Sequence, residues 1–370
     1  MTPNSQDQLV ITYEYQGIDP RAIADVIRVE QSIEFPNELA PAWIQDEVVG
    51  KIVEITSLTP ELHQFKIVFN PDNTGGELPQ FLNVLWGNAS LFPGVRVIDV
   101  DVPQSLTKKF KGPRFGIDGL RKHFGAPTRP LLTTALKPMG SDSKTLAEMA
   151  RTLALAGFDL IKDDHSLANQ PWSKWRERVE IVATAVQEAN QITGKNCAYA
   201  PSLNLPFDQV HEAAHTAKKL GAGSLLVLPG ITGFDSMRTL AEDDSIALPI
   251  QAHPALLGSF VSSPTNGIAH GIIFGTIARL AGGDISIFPN VGGRFSFTPA
   301  QCQEIKSKAV APLGNLKPIW IAPAGGMTVE RIPEMLASYG SDIALLIGGA
   351  LSRGDLAANA EAMVSAVSGR

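Results

Sequence analysis

The sequence predicts an α/β protein in which a C-terminal (β/α)8 barrel, or TIM barrel, follows a smaller α+β domain of the ferredoxin-like type. The barrel is predicted because apolar strands and amphipathic helices alternate strictly from residue 131, through eight units. The smaller domain is predicted because the region before this alternation mixes strands and helices in another order. We place the domains at residues 1–112 and 113–370, with the boundary in the basic stretch 108–113.

The N-terminal region shows both periodicities that an α+β domain requires. Strands are predicted at 9–15, 48–56, 62–69 and 95–102, and helices at 19–31 and 78–85. Within the first helix, Ile23, Val26 and Ile27 follow helical spacing, which predicts one apolar face.

Apolar runs in the C-terminal region predict the barrel strands. The runs are 131–137, 160–164, 198–203, 224–228, 248–253, 285–288, 319–322 and 343–347. A doubly wound open sheet is the alternative, but it requires a glycine-rich dinucleotide turn after its first strand. That position reads Lys137-Pro138-Met139-Gly140, so the closed barrel is favoured.

The composition limits the classes of binding partner and the cellular compartments that are expected for this protein. The net charge is −6 without a basic run, which argues against nucleic acid as a partner. The two cysteines, Cys197 and Cys302, lie in separate regular segments and indicate a reducing compartment. No apolar run reaches membrane-spanning length, and residues 1–8 lack the pattern of a secretory signal. The expected location is therefore cytoplasmic.

The second barrel strand ends in four consecutive ionisable residues, Lys162, Asp163, Asp164 and His165. Alternation directs Lys162 and Asp164 to one side and Asp163 and His165 to the other, unless a twist or bulge at the strand end brings His165 round. Crowding such groups is costly unless a metal ion or a charged ligand binds them. A helix N-cap at Asp163 or Ser166 is the simpler alternative, but a cap does not account for the lysine.

Other polar or glycine residues follow the remaining strands and should meet at the C-terminal mouth, where TIM barrels carry their chemistry. They are Lys137, Asn204, His253, Arg294 and the pairs Gly325-Gly326 and Gly348-Gly349. The backbone N–H groups of glycine pairs can approach an oxyanion closely, and this corner of a barrel commonly binds phosphate. A plain tight turn is the alternative for each pair. Two pairs on consecutive strands favour the phosphate site.

A zinc-peptidase pattern, H-E-x-x-H, occurs at His211-Glu212-Ala213-Ala214-His215. The spacing places both histidines on one helix face, but that helix is predicted outside the barrel. No third ligand follows at a familiar spacing, so we interpret the pattern as a solvated helix face and keep a zinc hydrolase as the minor alternative. The isolated residues His63, His123 and His270 are interpreted as structural.

The strand-end residues, in this order, resemble the large subunit of RuBisCO. The motifs include Gly112-Pro113-Arg114-Phe115-Gly116, Lys137-Pro138, Lys162-Asp163-Asp164, Asn169-Gln170-Pro171, Trp175-Arg176-Glu177-Arg178 and Arg279-Leu280-Ala281-Gly282-Gly283-Asp284. The likeness covers most of the chain and is densest over residues 112–350. It implies that Glu30 and Asn88 reach the barrel mouth of a neighbouring subunit. A homodimer with a shared active site, without a small subunit, is therefore expected.

The resemblance also implies a metal site, and one of the ligand positions of this site carries a different residue in this sequence. Carboxylating members of the family hold Mg²⁺ on a carbamylated lysine, an aspartate and a glutamate; here Lys162 and Asp164 match, and His165 stands at the glutamate position. An imidazole in place of a carboxylate weakens the preference for Mg²⁺ and admits Mn²⁺ or no metal at all. Whether Lys162 is carbamylated stays open.

Further departures alter the groups that the family uses for CO2 and for one of two phosphates. Met139, Pro254, Ile287 and Ala324 stand where the family has a lysine, an arginine, a histidine and a serine, and Arg294 aligns with a mobile-loop lysine. The retained groups suit proton transfer next to a carbonyl. The resemblance thus implies a RuBisCO-like protein without carboxylase activity.

The expected function is an enolase or isomerase acting on a sugar with one phosphate, which the two glycine pairs would bind. A metal would stabilise the enediolate, Lys137 or carbamylated Lys162 would move the proton, and Arg294 would close over the substrate. His253 would bind or deprotonate a hydroxyl. By family analogy the substrate is a methylthio-pentulose phosphate of methylthioadenosine salvage. Two alternatives stay open: a decarboxylase or C–C hydrolase of a phosphorylated 3-oxo sugar acid, and a non-catalytic sugar-phosphate binding protein.

Overall fold

The computed structural model describes residues 7–295 and 297–368, so most of the polar N-terminus discussed above lies outside the described residues. The strands are β1 Leu9–Gln16, β2 Lys51–Ser57, β3 Leu62–Phe69, β4 Val95–Asp101, β5 Leu131–Leu136, β6 Leu160–Asp163, β7 Ala198–Ala200, β8 Leu225–Val227, β9 Ile250–Ala252, β10 Gly267–Ile268, β11 Ile285–Pro289, β12 Trp320–Ala324 and β13 Ala344–Ile347. The α-helices are α1 Pro20–Glu30, α2 Ala42–Glu47, α3 Leu78–Trp86, α4 Gln104–Thr107, α5 Gly116–Phe124, α6 Ser143–Ala156, α7 Trp175–Thr193, α8 Phe207–Lys219, α9 Pro229–Thr232, α10 Phe234–Glu242, α11 Gly258–Val261, α12 Ala278–Leu280, α13 Pro299–Val310, α14 Ile332–Tyr339 and α15 Leu356–Ser368.

The small sheet has the strand order β10-β4-β1-β3-β2. Strand β1 pairs antiparallel with β3 and β4, and β2 pairs antiparallel with β3, which confirms the ferredoxin-like arrangement. Helix α1 begins where Asp19 accepts a hydrogen bond from the Ala22 amide, and it buries Ala24 and Ile27. Strand β10 comes from the C-terminal region and pairs parallel with β4. The boundary between residues 112 and 113 stays a prediction.

The large sheet contains eight parallel strands in the order β7-β6-β5-β13-β12-β11-β9-β8. A parallel bridge between Ser202 and Leu226 joins β7 to β8, so the sheet closes on itself. The closure confirms the predicted barrel and excludes the open sheet. Because strands in a closed parallel barrel all end on the same side, the residues that follow them share one mouth.

Strands β7, β8 and β9 are each shorter than the sequence pattern predicts. Each has three residues, and Pro201, Pro229 and Pro249 stand at or near their ends. Proline has no N–H to donate to a strand ladder, which ends the regular pairing even where the apolar run continues.

None of the described helices combines the length and the apolar character that a membrane crossing requires. The cytoplasmic location stays a prediction.

A buried carboxylate ties three segments together at the N-terminal end of the barrel. Asp284 accepts backbone hydrogen bonds from Phe115 (2.8 Å), Gly116 (3.0 Å) and Ile250 (3.1 Å). The neighbouring Arg279 is also buried and donates only to backbone carbonyls, including that of Leu316. The motif over residues 279–284 therefore closes the base of the barrel and does not contribute to the mouth.

Replacing Asp284 should remove a pH dependence of stability. Burial raises the pKa of Asp284 to about 6 in the fold, although its backbone hydrogen bonds oppose the shift, and the unfolded value is about 3.9. The folded protein therefore retains this proton to higher pH, and the group lowers the free energy of unfolding as pH rises from about 4 to about 6. We expect Asp284→Asn to gain stability relative to the wild type across that interval, measured by urea unfolding at each pH. The exposed Asp208→Asn is the control, and a pH-independent difference for Asp284→Asn would contradict the assignment.

Candidate active site at the barrel mouth

The end of β6 is fixed by a buried ionic network around Asp163. Its carboxylate accepts hydrogen bonds from Arg178 Nε (3.2 Å), the Tyr199 hydroxyl (2.7 Å) and the Ser202 amide (3.0 Å). The side chains of Asp163 and Arg178 are both 0% exposed. Asp163 thus points away from the mouth, and its neighbours in sequence point towards it.

Lys162 and Asp164 occupy the opposite side of the strand end, as the alternation predicts. Asp164 Oδ2 lies 2.8 Å from Lys137 Nζ, which reaches it from the end of β5. The other oxygen, Oδ1, accepts hydrogen bonds from the Ser166 amide (3.1 Å) and hydroxyl (2.6 Å). The helix-cap alternative is wrong, because α7 begins only at Trp175 and Asp164 instead forms a local turn with Ser166.

The environment shifts the protonation of both side chains. Burial and the positive charge of Lys137, opposed by the negative charge of Asp164, together lower the pKa of Lys162 to about 8. Burial would raise the pKa of Asp164, but hydrogen bonds from His165, Lys137 and Ser166 outweigh it and hold that pKa well below its usual value. The mouth therefore contains a permanent carboxylate beside a lysine whose free amine is accessible near neutral pH.

Two histidines lie face to face beside this carboxylate. His165 Nδ1 is 3.4 Å from Asp164 Oδ1, so the chain does turn at the strand end and bring His165 to the mouth. Its ring stacks on His253, with centroids 4.5 Å apart and an angle of 13° between the planes. Burial, with Lys162 and His165 nearby, lowers the pKa of His253 to about 2. His253 Nδ1 accepts a hydrogen bond from the Ala255 amide, so the proton of the neutral ring is on Nε2, which is a donor.

The two glycine pairs differ in whether the backbone conformation accounts for the presence of glycine. Gly325 and Gly326 have φ values of 105° and 64°, a conformation that explains glycine without a ligand. Gly348 and Gly349 lack a positive φ, and a Cβ on either would meet no atom within 4 Å. Neither backbone conformation nor packing therefore requires glycine at the second pair, which favours close approach by a ligand. Lys137 lines the same small cavity as Gly348 and Gly349.

The remaining predicted residues are placed as follows. Asn204 donates a hydrogen bond from Nδ2 to the His165 carbonyl at 3.4 Å, so it supports the turn at the mouth. Arg294 is exposed, with its guanidinium over the Phe295 ring. Glu30 and Asn88 are hydrogen-bonded to each other in the small domain, at 2.8 Å.

The sequence analysis missed residues that position the site. Arg331 donates to the carbonyls of Gly326 and Val291, both at 3.2 Å, and thereby joins two mouth loops. Ser166 was considered only as a helix cap, although the Asp-x-Ser spacing from Asp164 is typical of side-chain turns. Arg331 has no such local signal, because its partners are contributed by separate loops.

The isolated histidines have structural contacts, as predicted. His63 contacts Ser57 Oγ and the Gly17 carbonyl, and His123 contacts the Gly223 carbonyl. His270 is buried against the edge of an aromatic ring. The H-E-x-x-H pattern lies on α8 outside the barrel, as predicted, and Asp243, from a distant part of the sequence, lies beside both histidines.

Removing Arg178 should destabilise the fold strongly. Arg178→Met leaves Asp163 buried without its cation, a change that typically costs about 3–5 kcal/mol of the free energy of unfolding. Chemical denaturation measures the loss. The control is Arg176→Met on the exposed face of the same helix, for which we expect a change within about 0.5 kcal/mol. Equal stability of the two variants would show that the network is unimportant.

Adding a methyl group at Gly349 should separate ligand binding from folding. Because the added Cβ meets open space, Gly349→Ala should be as stable as the wild type or more stable by about 0.4–1 kcal/mol. The added Cβ would stand where an anion approaches the backbone N–H groups, and the loss of one such hydrogen bond should weaken binding of inorganic phosphate at least about tenfold, measured by ³¹P NMR titration. Gly258→Ala, in α11, is the control. Unchanged phosphate affinity in Gly349→Ala would contradict a phosphate site at this corner.

Comparison with known proteins places these observations in a family. Residues 116–295 match the family described as "Ribulose bisphosphate carboxylase large chain, catalytic domain". The chain is 37% identical to a 5-methylthioribulose-1-phosphate isomerase from Rhodospirillum rubrum over 369 residues, which cover 98% of this chain and 97% of the relative. It is 32% identical to a 2,3-diketo-5-methylthiopentyl-1-phosphate enolase from Bacillus pumilus over 286 residues, covering 77% of this chain and 70% of the relative.

A solved structure agrees with the sequence relatives. The crystal structure of a Rubisco-like protein from Rhodopseudomonas palustris superposes with a TM-score of 0.88 and 34% identity, covering 98% of both chains. The match extends over the small domain as well as the barrel. This chain therefore belongs to the family of the RuBisCO large chain, and within it to the RuBisCO-like proteins.

Proposed function

We propose that this protein is a RuBisCO-like enolase or isomerase that moves a proton next to the carbonyl of a singly phosphorylated sugar, without fixing CO2. The observation that carries the proposal is the buried Lys162 beside the ionised Asp164, with Lys137 2.8 Å from that carboxylate. The names of the two sequence relatives confirm the broader prediction that the chain is an enzyme of the enolase or isomerase type.

The substrate we propose is a methylthio-pentulose monophosphate. Both relatives are named for substrates with a methylthio group, a carbonyl and one phosphate. One phosphate also agrees with the residues of this chain, which keep the glycine corner while Pro254, Ile287 and Ala324 supply no charged donor for a second phosphate. The isomerase relative is matched over nearly its whole length, so we favour an isomerisation as the net reaction.

Proton transfer requires a base near the substrate carbon and charge stabilisation at the carbonyl oxygen. The free amine of Lys162, or its carbamate, would accept the proton as the C–H bond breaks. The electron pair of that bond would form the C=C bond, and the π pair of the C=O bond would move onto the carbonyl oxygen. Lys137, paired with Asp164 and adjacent to the glycine corner, would donate or return the proton. Return to the neighbouring carbon completes an isomerisation, and release of the enol completes an enolase reaction.

His253 would bind a substrate oxygen as a donor. Its Nδ1 accepts the Ala255 amide and its pKa is low, so the neutral ring offers Nε2–H and has no free lone pair for deprotonation. Of the two roles predicted from the sequence, the geometry favours binding. The exposed Arg294 is available to close over the bound substrate.

The side chains at the mouth fit a divalent cation. Asp164 offers an ionised carboxylate, His165 an imidazole nitrogen 3.4 Å from it, and Lys162 an amine that can react with CO2 when neutral. A cation such as Mg²⁺ or Mn²⁺, when bound, would polarise the substrate carbonyl as a Lewis acid. The imidazole ligand makes Mn²⁺ the more compatible of the two.

We further propose that the active site is shared in a homodimer. The Glu30–Asn88 pair is formed within the small domain and leaves both side chains half-buried. These residues would complete the mouth of a second subunit. No small subunit is required for that arrangement.

Proton exchange tests the proposed function directly. Incubating the enzyme with 5-methylthioribulose 1-phosphate in D2O, with Mg²⁺ or Mn²⁺, should replace the proton next to the carbonyl with deuterium, observed by ¹H NMR. CO2 release from a phosphorylated 3-oxo sugar acid, without such exchange, would instead support a decarboxylase. Binding without either change would support a binding protein, and carboxylation of ribulose bisphosphate would contradict the proposal.

Two lysine variants test the assigned roles. Lys162→Ala and Lys137→Ala should each lower the exchange rate by about 10²–10⁴-fold, the usual contribution of a positioned acid or base. Lys144→Ala, at an exposed position in α6, is the matched control and should retain the full rate. Full retention in either mouth variant would refute the role of that lysine.

A further inference from the structure

A second cluster of possible metal ligands lies on the outside of the barrel. His211 and His215 project from α8, and Asp243 follows the last residue of α10. Asp243 Oδ2 lies 3.4 Å from His211 Nε2 and 3.3 Å from His215 Nε2. The donor atoms of all three residues lie within 4.8 Å of one another. Two imidazoles from successive helical turns therefore converge on a single carboxylate oxygen.

The carboxylate is oriented by groups that leave this oxygen free. Asp243 Oδ1 accepts hydrogen bonds from the Ser245 amide (2.7 Å) and hydroxyl (2.5 Å), whereas Oδ2 faces the two rings. Lys218 Nζ, also on α8, donates to the Ser245 carbonyl at 2.8 Å and ties the loop to the same helix. The hydrogen bonds from Ser245 lower the pKa of Asp243 to about 2, so the carboxylate is ionised. Outer partners of this kind orient the ligands of metal sites.

We propose that His211, His215 and Asp243 form a binding site for a divalent cation of the zinc and cobalt class. Zinc takes imidazole and carboxylate ligands at about 2.0–2.2 Å in tetrahedral geometry, which places neighbouring ligand atoms about 3.3–3.5 Å apart. The two imidazole-to-carboxylate separations, 3.4 and 3.3 Å, agree with that spacing. The side chains are partly exposed, so a water molecule would complete the coordination.

This site is separate from the mouth. Asp243 precedes β9, whereas His253 and the other mouth residues follow their strands. A cation here would join α8 to the α10–β9 connection from outside, and its effect would be to stabilise that flank. The donor set also differs, because the outer site offers two imidazoles and one carboxylate and needs no modified lysine. The outer site therefore favours a softer ion than the mouth does.

Hydrogen-bonded ion pairs between the histidines and Asp243, without a metal, are the alternative. Such exposed pairs contribute little to stability. They would not give tight, stoichiometric binding of Zn²⁺. Metal titration therefore separates the two interpretations.

The test is a titration of the full chain with Zn²⁺ by calorimetry, and with Co²⁺ by visible absorption. Asp164→Asn, which disables the mouth, should retain one Zn²⁺ per chain with the Co²⁺ spectrum of a tetrahedral site. His211→Gln, His215→Gln and Asp243→Asn, each made in that background, should weaken this binding by on the order of 100-fold or more. Glu212→Gln, exposed on the same helix and outside the cluster, is the matched control and should bind as Asp164→Asn does.

Thermal unfolding supplies an independent readout. Saturating Zn²⁺ should raise the Tm of Asp164→Asn and leave the Tm of its His215→Gln derivative unchanged, because only a cation bound to the folded state stabilises it. Affinity for Zn²⁺ that is equal in Asp164→Asn and its His215→Gln derivative, or that is only millimolar in both, would overturn the proposal. The result does not depend on the proposed reaction at the mouth.

Discussion

The buried ion pair between Asp163 and Arg178 is the interaction on which the mouth depends. It fixes the end of β6, and through Tyr199 and the Ser202 amide it also fixes the end of β7. Two charges at zero exposure are tolerated because each remaining hydrogen-bonding atom has a partner, including the Ser173 and Ala168 carbonyls for the guanidinium. With Asp163 held outwards, strand alternation leaves Lys162 and Asp164 facing the mouth.

The electrostatics of the mouth follow from that placement. Lys162 is buried near the end of β6, and burial favours its neutral form. Asp164 remains ionised because three donors converge on it, from β5, from the turn at Ser166 and from His165. An amine that can lose its proton beside a carboxylate that keeps its charge is an arrangement suited to enolisation. The family membership and this local chemistry therefore both support an enolisation.

His165 links the chemistry of the mouth to its departure from the carboxylating pattern. Where the resemblance to RuBisCO implies a carboxylate, it presents an imidazole ring, which stacks on His253 and lies beside Asp164. His165 also contributes, after burial and the charge of Lys162, to the low pKa of His253. His253 donates from Nε2 because its Nδ1 accepts the Ala255 amide, and a donor at this position suits substrate binding. His165 thus affects the protonation of both Asp164 and His253.

The sequence by itself determined the barrel, the ferredoxin-like domain and most mouth residues, because strand periodicity and polar strand ends are local patterns. It predicted Lys137, Lys162, Asp164 and His253 from their positions after strands. The tertiary structure alone decided which partners those residues have, since Arg178 and Arg331 reach their partners from separate segments. Only the tertiary structure distinguished the two glycine pairs, because the backbone φ angle and the space around a residue cannot be inferred from the residue type. Asp243 is separated from His215 in sequence and contacts it only because α8 and the end of α10 pack side by side on the barrel.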